Sequence, residues 1–173
     1  MARQLWLLRH AEAEPHGTRE DSERRLTERG EQQARAAGVA LERLGGSFEA
    51  VLFSPKARAR QTAELAAQAW PEDQRERLAP HEPLASGFDA AQALDAMAGL
   101  GGGGRLLLVG HEPDLSRVIG ELTGGAVDLK KGGLAVVRLE GSRGELLVLM
   151  RSREVALIAE SAPRAVGVPR GRD

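Results

Sequence analysis

The sequence predicts an α/β sandwich, with a mainly parallel central sheet, an antiparallel edge and helices on both faces. Three observations predict it. Leu5 to Leu8, Ala50 to Phe53 and Leu106 to Val109 are apolar runs too short for buried helices and bounded by charged or turn-forming residues. Segments of helical period stand between them, so the strands must return in parallel through helical crossovers. Near the C-terminus, Leu134 to Leu139 and Leu146 to Met150 flank Glu140-Gly141-Ser142-Arg143-Gly144 and read as a β-pair, which supplies the antiparallel edge.

Each element has a local cause. Leu5 to Leu8 is the first buried strand, and the polar residues 11–26, with Pro15, Gly17 and Asp21, are expected to form a long loop. Thr27 can cap a helix that runs to about Leu44: Ala34, Ala37, Leu41 and Leu44 share a face, and Gly45-Gly46 ends it. Ala50 to Phe53 is closed by Ser54-Pro55, and a helix from about Lys56 to Ala69 is stopped by Pro71. Residues 71–88, with Pro71, Pro80, Pro83 and Gly87, are expected as loop. Asp89 can cap an alanine-rich helix to Leu100, and Gly101 to Gly104 reads as a flexible joint, with no Lys-Ser/Thr after it to make a phosphate cradle. Pro113 suits the first turn of a helix reaching about Leu122. Residues 1–162 are read as one domain and the Arg-, Gly- and Pro-rich residues 163–173 as a disordered tail. Trp6 and Trp70 are expected in the core.

Composition bounds the function. The apolar share is 42% and the charged share 28%, as in an ordinary globular chain. A net charge of −1 offers no bulk field for nucleic acid or an anionic membrane. The absence of cysteine excludes disulfides, thiolate chemistry and Cys-ligated zinc. No stretch approaches the roughly 20 apolar residues of a membrane span or has the form of a signal peptide, so a soluble, cytoplasmic protein is expected.

The chemistry gathers at strand ends, where open α/β sheets bind their ligands. The first run ends at Arg9-His10, the second at Ser54-Pro55 leading to Arg58, and the third at Gly110-His111-Glu112-Pro113. Parallel strands place all three on one rim. Arg58, Thr62, Leu65 and Ala69 share a stripe at helical spacing, which turns Arg58 inward, while Arg60 lies roughly 200° around the helix and is expected in solvent. A buried Arg needs an anion, and a carboxylate or a phosphate would serve. Two arginines and two histidines on one rim suit a tetrahedral dianion. A neutral imidazole can attack phosphorus, a protonated second histidine can donate to the phosphoryl oxygens, and the helix start after His111 offers its dipole.

These segments resemble the histidine phosphatase superfamily, also called phosphoglycerate mutase-like. Leu7-Leu8-Arg9-His10-Ala11 is similar to its signature, and Ser54-Pro55-Lys56-Ala57-Arg58-Ala59-Arg60-Gln61-Thr62 resembles its Ser-Pro-x-x-Arg-x-x-Gln-Thr motif. Val109-Gly110-His111 resembles its third motif, and Arg24-Arg25-Leu26-Thr27-Glu28-Arg29-Gly30 its lead into the first helix. Ala11, Gly110-His111-Glu112-Pro113 and Lys130-Lys131-Gly132-Gly133-Leu134 are similar to the small SixA-type branch, the protein phosphohistidine phosphatases. The resemblance covers about residues 4 to 150. It implies that His10 is the phosphorylated nucleophile, that Arg9 and Arg58 bind the phosphoryl oxygens, that His111 completes the pocket, and that no metal or cofactor takes part.

One feature departs from the larger relatives, in which an inserted subdomain carries a glutamate as general acid. Fewer than 50 residues separate Thr62 from Gly110 here, and Glu82 is the candidate acid, with Asp89 behind it. A missing general acid disfavours alkoxide leaving groups and favours imidazole. The expected substrate is therefore phosphohistidine in a protein partner, such as a phosphorylated carrier, with a small phosphorylated metabolite as the alternative. A non-enzymatic phosphate-binding module is a further reading, as is a metalloenzyme built on His10, His16, His81 and His111. The metal reading lacks a His-Glu-x-x-His or His-x-His pattern and would set two arginines beside a cation, and His16 and His81 read as ordinary loop residues.

Overall fold

A computed structural model describes residues 3–101 and 104–161. Part of the expected glycine joint, and the expected tail 163–173, lie outside the described residues. In chain order the elements are β1 (Arg3–Arg9), α1 (Glu28–Arg43), β2 (Ala50–Phe53), α2 (Ala57–Ala67), α3 (Glu72–Arg75), β3 (Leu78–Pro80) and α4 (Ala90–Ala98), followed by β4 (Arg105–Gly110), α5 (Asp114–Thr123), β5 (Leu134–Glu140), β6 (Arg143–Met150) and α6 (Ser152–Glu160). The strands form one sheet in the order β3-β2-β4-β1-β5-β6. β1, β2, β3 and β4 pair in parallel, and the β5–β6 hairpin adds antiparallel to β1.

Alternation along the central strands divides the core in two. Trp6 and Leu8 of β1, with Leu107 and Val109 of β4, point to the face covered by Ala37, Ala40 and Leu41 of α1, Ala59, Ala63 and Ala66 of α2 and Val155 of α6. Leu5, Leu7, Leu106 and Leu108 point to the opposite face, under Ala93 and Met97 of α4 and Leu115, Val118 and Ile119 of α5. Both faces of β1 and β4 are thus buried, which is why these strands are apolar without alternation. Phe48 packs edge-on against Trp6 at 5.4 Å between ring centroids and tilted against Trp70 at 5.9 Å. Both tryptophans are buried, as expected.

The expected caps form. The Thr27 hydroxyl accepts the Gly30 N–H, and the Asp89 carboxylate accepts that of Gln92. One expectation is corrected, and two features are added. Residues 71–88 are not plain loop: they hold α3, the edge strand β3 and a 3₁₀ turn at Glu82–Ala85. The prolines mislead because β3 is an edge, where Pro80 at its end needs no ladder donor. Residues 11–26 contain a 3₁₀ turn at Asp21–Glu23 and a bridge between Ala13 and Leu26. The amphipathic α6 escaped notice because it starts directly after β6 with no turn residue between them.

Two glycines are fixed by close approach. A Cβ at Gly30 would lie 1.9 Å from the Glu12 carbonyl oxygen, and one at Gly38 would lie 2.0 Å from that of Ala66. Gly30 therefore lets α1 press against the segment just after His10, and Gly38 lets α1 meet α2.

Candidate active site

β1, β2 and β4 are adjacent and parallel, so their carboxyl ends share one rim. The ladder continues past the strands: the His10 N–H donates to the Gly110 carbonyl at 3.0 Å and the Ser54 N–H to that of Val109 at 3.0 Å. A hollow of about 470 Å³ opens there, and Arg9, His10, Arg24, Arg58, His111 and Lys131 supply its basic lining. Its size is within the range of small-molecule sites.

His10 is 5% exposed, and its ring stands 5.2 Å from that of His111, centroid to centroid. The Ala11 carbonyl lies 2.8 Å from His10 Nδ1. A carbonyl only accepts, so Nδ1 carries the proton and the Nε2 lone pair is free. Burial, with the charges of Arg58, Arg9 and Lys131, pushes the His10 pKa down to about 3, and the ring is neutral. A neutral imidazole with a fixed tautomer is a competent nucleophile.

The helix α2 locks this geometry. The Thr62 hydroxyl donates back to the Arg58 carbonyl at 2.7 Å and accepts the Ala11 N–H at 3.1 Å. Gln61 Oε1 accepts the Leu26 N–H at 2.9 Å. The two residues that close the second motif thus tie the segment after His10 and the residue before Thr27 to one helix.

Arg58 is 6% exposed and lines the hollow, whereas the Arg60 side chain is 54% exposed and pairs with Glu64 at 4.0 Å. The helical phase is therefore as expected. Arg58 does meet a carboxylate: Nη1 donates to the Asp21 backbone carbonyl at 2.7 Å, and Nη2 approaches Asp21 Oδ2 at 3.4 Å. That satisfies part of the guanidinium only. Arg9 gives one donor to the Leu129 carbonyl at 3.0 Å. His111 Nε2 stands 2.7 Å from the Ser54 hydroxyl.

Among the described residues three buried side-chain nitrogens have no partner: Arg9 Nε, Arg58 Nε and His111 Nδ1. An unsatisfied buried donor costs about 1–3 kcal/mol, so such groups are rare in isolation. Here all three belong to residues of one hollow.

Burial, then the charges of His10, Arg58 and Lys56, push the His111 pKa down to about 3, so it is neutral rather than protonated. With the Ser54 hydroxyl donating to Nε2, a neutral ring still offers Nδ1–H. At the start of α5, Glu112 Oε1 accepts one of the free N–H groups, that of Ser116, at 3.0 Å.

Glu82, the candidate acid, is exposed at the start of its 3₁₀ turn and does not line the hollow, and neither does Asp89. The carboxylates that do line it are Glu12, Glu14 and Glu112. Glu12 accepts the Thr27 hydroxyl at 2.9 Å, and Glu14 is held below the usual carboxylate range, first by the Arg25 N–H and then by Arg19. Reasoning from sequence missed Arg24, Lys131 and His16 as lining residues. Arg24 could have been marked as one member of the recognised segment before Thr27. The four histidines do not converge, since His81 is absent from the lining. No group of three His, Asp or Glu side chains is placed to share a metal ion among the described residues. No helix of the described residues is long and apolar enough to cross a membrane.

Comparison with known proteins agrees with this geometry. The sequence profile of the histidine phosphatase superfamily (branch 1) matches residues 5–81. An uncharacterized protein of Picosynechococcus sp. is 34% identical over 152 residues, spanning 81% of this chain and 87% of that protein. The structure of the protein histidine phosphatase SixA complexed with tungstate superposes with a TM-score of 0.74 at 24% identity, over 88% of this chain and 99% of that one. A phosphoserine phosphatase from Entamoeba histolytica, solved as a mutant with phosphoserine, gives 0.66 at 16% identity, over 87% and 98%. Sequence motifs, sheet order and the strand-end hollow lead to one conclusion: the chain belongs to the histidine phosphatase superfamily.

Proposed function

We propose that the protein is a phosphatase that takes the phosphoryl group onto His10 Nε2, and that its substrate is phosphohistidine in a protein partner. The observation that carries the reading is the set of unpartnered buried donors, Arg9 Nε, Arg58 Nε and His111 Nδ1, around a histidine with a free lone pair. Nε2 attacks phosphorus, a P–N bond forms on His10, and the bond to the leaving group breaks. Arg9, Arg58 and His111 hold the phosphoryl oxygens as their charge redistributes. Water then attacks the phosphohistidine, releasing inorganic phosphate and restoring the Nε2 lone pair.

The state of the acids supports the choice of substrate. Glu14, held below the usual carboxylate range by the Arg25 N–H and Arg19, is a poor proton donor, and Glu12 and Glu112 accept hydrogen bonds from Thr27 and Ser116. Glu82 and Asp89, outside the lining, could donate only after moving. An alkoxide leaving group needs a donor. The imidazole of phosphohistidine departs neutral when its other nitrogen is protonated and needs none.

The test is a dephosphorylation panel: a phosphohistidine carrier protein, phosphoserine and sugar phosphates, compared by kcat/KM. The carrier protein is expected to lead by at least tenfold. A small phosphomonoester turned over faster than the carrier would make the protein a metabolite phosphatase instead. Single-turnover rates for Glu82→Gln across leaving groups of rising pKa check the acid, since a loss confined to alkyl phosphates would place Glu82 in that role.

A further inference from the structure

Asp21 lies in the 3₁₀ turn at Asp21–Glu23 and is not among the residues that line the hollow. Three cations converge on it all the same. Its Oδ1 accepts from Arg24 Nη1 at 2.9 Å, and its Oδ2 accepts from Lys56 Nζ at 3.0 Å and approaches Arg58 Nη2 at 3.4 Å. Its backbone carbonyl accepts from Arg58 Nη1 at 2.7 Å. Both side-chain hydrogen bonds of Arg58 thus end on this one residue among the described residues.

Arg24 differs. Its Nε also donates to the Glu14 carbonyl at 2.8 Å, and its Nη1 lies 3.1 Å from His16 Nδ1, so it keeps its place without Asp21. Among the described residues Arg58 has no such second anchor. Its guanidinium also feels the like charge of Arg24. Without the carboxylate, a buried arginine beside that charge would have every reason to swing away from the site.

We infer that Asp21 is a positioning residue for phosphoryl transfer, which fixes the Arg58 guanidinium at the wall of the hollow with its Nε unspent. The inference rests on the phosphatase reading of that hollow. Of the five N–H donors of Arg58, Asp21 engages two, and Nε is among those left for a phosphoryl oxygen. The Asp21 carboxyl is held far below the usual carboxylate range, first by the hydrogen bond from Lys56 and also by Arg24 and Arg58. It therefore remains an anion while the site works. Side chains fixed by a partner outside the site are how binding groups keep the small tolerances that phosphoryl transfer requires.

The experiment is a double-mutant cycle on the whole chain: wild type, Asp21→Asn, Arg58→Ala and the double variant. Each is assayed for kcat and KM with p-nitrophenyl phosphate, and for tungstate binding by calorimetry, with thermal melting to follow folding. If Asp21 acts through Arg58, Asp21→Asn lowers kcat/KM and tungstate affinity about tenfold in the wild-type background and less than twofold in the Arg58→Ala background. Equal losses in both backgrounds would show an effect independent of Arg58 and overturn the inference. A gain in tungstate affinity for Asp21→Asn would show a carboxylate that competes with substrate, and would overturn it too. A wild type that binds tungstate yet hydrolyses nothing on the panel would sink the phosphatase reading, while the binding cycle still decides the role of Asp21.

Discussion

Arg58 and Arg60 stand two residues apart on α2 and make the sharpest contrast in the molecule. Among the described residues, Arg58 is 6% exposed, lines the hollow and keeps a buried Nε without a partner, while the Arg60 side chain is 54% exposed and pairs with Glu64 at 4.0 Å. Removing a preorganised donor that stabilises developing charge costs about 10²- to 10³-fold in rate, equivalent to roughly 2.7–4 kcal/mol. An exposed ion pair contributes about 0–1 kcal/mol to stability and nothing to the reacting phosphoryl group. Arg58→Ala is therefore expected to lower kcat/KM for p-nitrophenyl phosphate at least about 10²-fold. Its thermal midpoint is expected to move only slightly, because Asp21 retains Arg24 and Lys56 as partners. Arg60→Ala is expected to change the rate less than twofold. Arg58→Lys keeps the charge but loses the planar fork, and is expected to fall between the two. Steady-state kinetics on all three variants, with a melt of each, decides it. Equal losses for Arg58→Ala and Arg60→Ala would refute the placement of Arg58 at the phosphoryl group.

Further outcomes follow from the same geometry. His10 and His111 have folded-state pKa values pushed down to about 3 against an ordinary 6.5, so below pH 6.5 the unfolded chain takes up protons that the folded one refuses. Stability is thus full above 6.5 and declines as the pH falls through the window toward 3; urea midpoints at pH 7 and pH 5 are expected to differ more for wild type than for the His10→Asn/His111→Asn variant, and parallel shifts would contradict this. If Arg9, Arg58 and His111 supply the charge stabilisation, as proposed, activity survives EDTA; loss restored by zinc or magnesium would favour the metal reading. Gly30→Ala puts a Cβ 1.9 Å from the Glu12 carbonyl oxygen and is expected to cost about 1–3 kcal/mol in chemical unfolding, with activity falling as the segment after His10 shifts. Gly99→Ala, which meets nothing closer than 3.6 Å, is the tolerated control.

The sheet and the core of the site were legible because single residues there carry unambiguous physics. The strands β1 and β4 are buried on both faces and β2 is buried on one and half-buried on the other, so their apolar runs stand out, and each ends abruptly in a charged or turn residue. Arg58 could be turned inward by phase alone, because its stripe along α2 is otherwise apolar or small. The edge was harder to see. β3 is three residues long and ends in proline, and nothing local distinguishes it from loop. The wall of the hollow formed by residues 11–26 was invisible for a different reason. Asp21 matters through partners more than 30 residues away, Lys56 and Arg58, and no local periodicity encodes such a pairing. The charge of His111 also depends on burial among other cations, which sequence spacing does not report.

The account stands or falls on the covalent intermediate. Brief incubation with a ³²P-labelled phosphohistidine carrier protein, quenched without acid and followed by peptide mapping, is the direct measurement. The expected result is an acid-labile, base-stable label on His10 alone, formed at a rate no slower than turnover and absent from His10→Ala. Label on any other residue, or full activity in His10→Ala, would contradict the assignment of His10 Nε2 as the nucleophile.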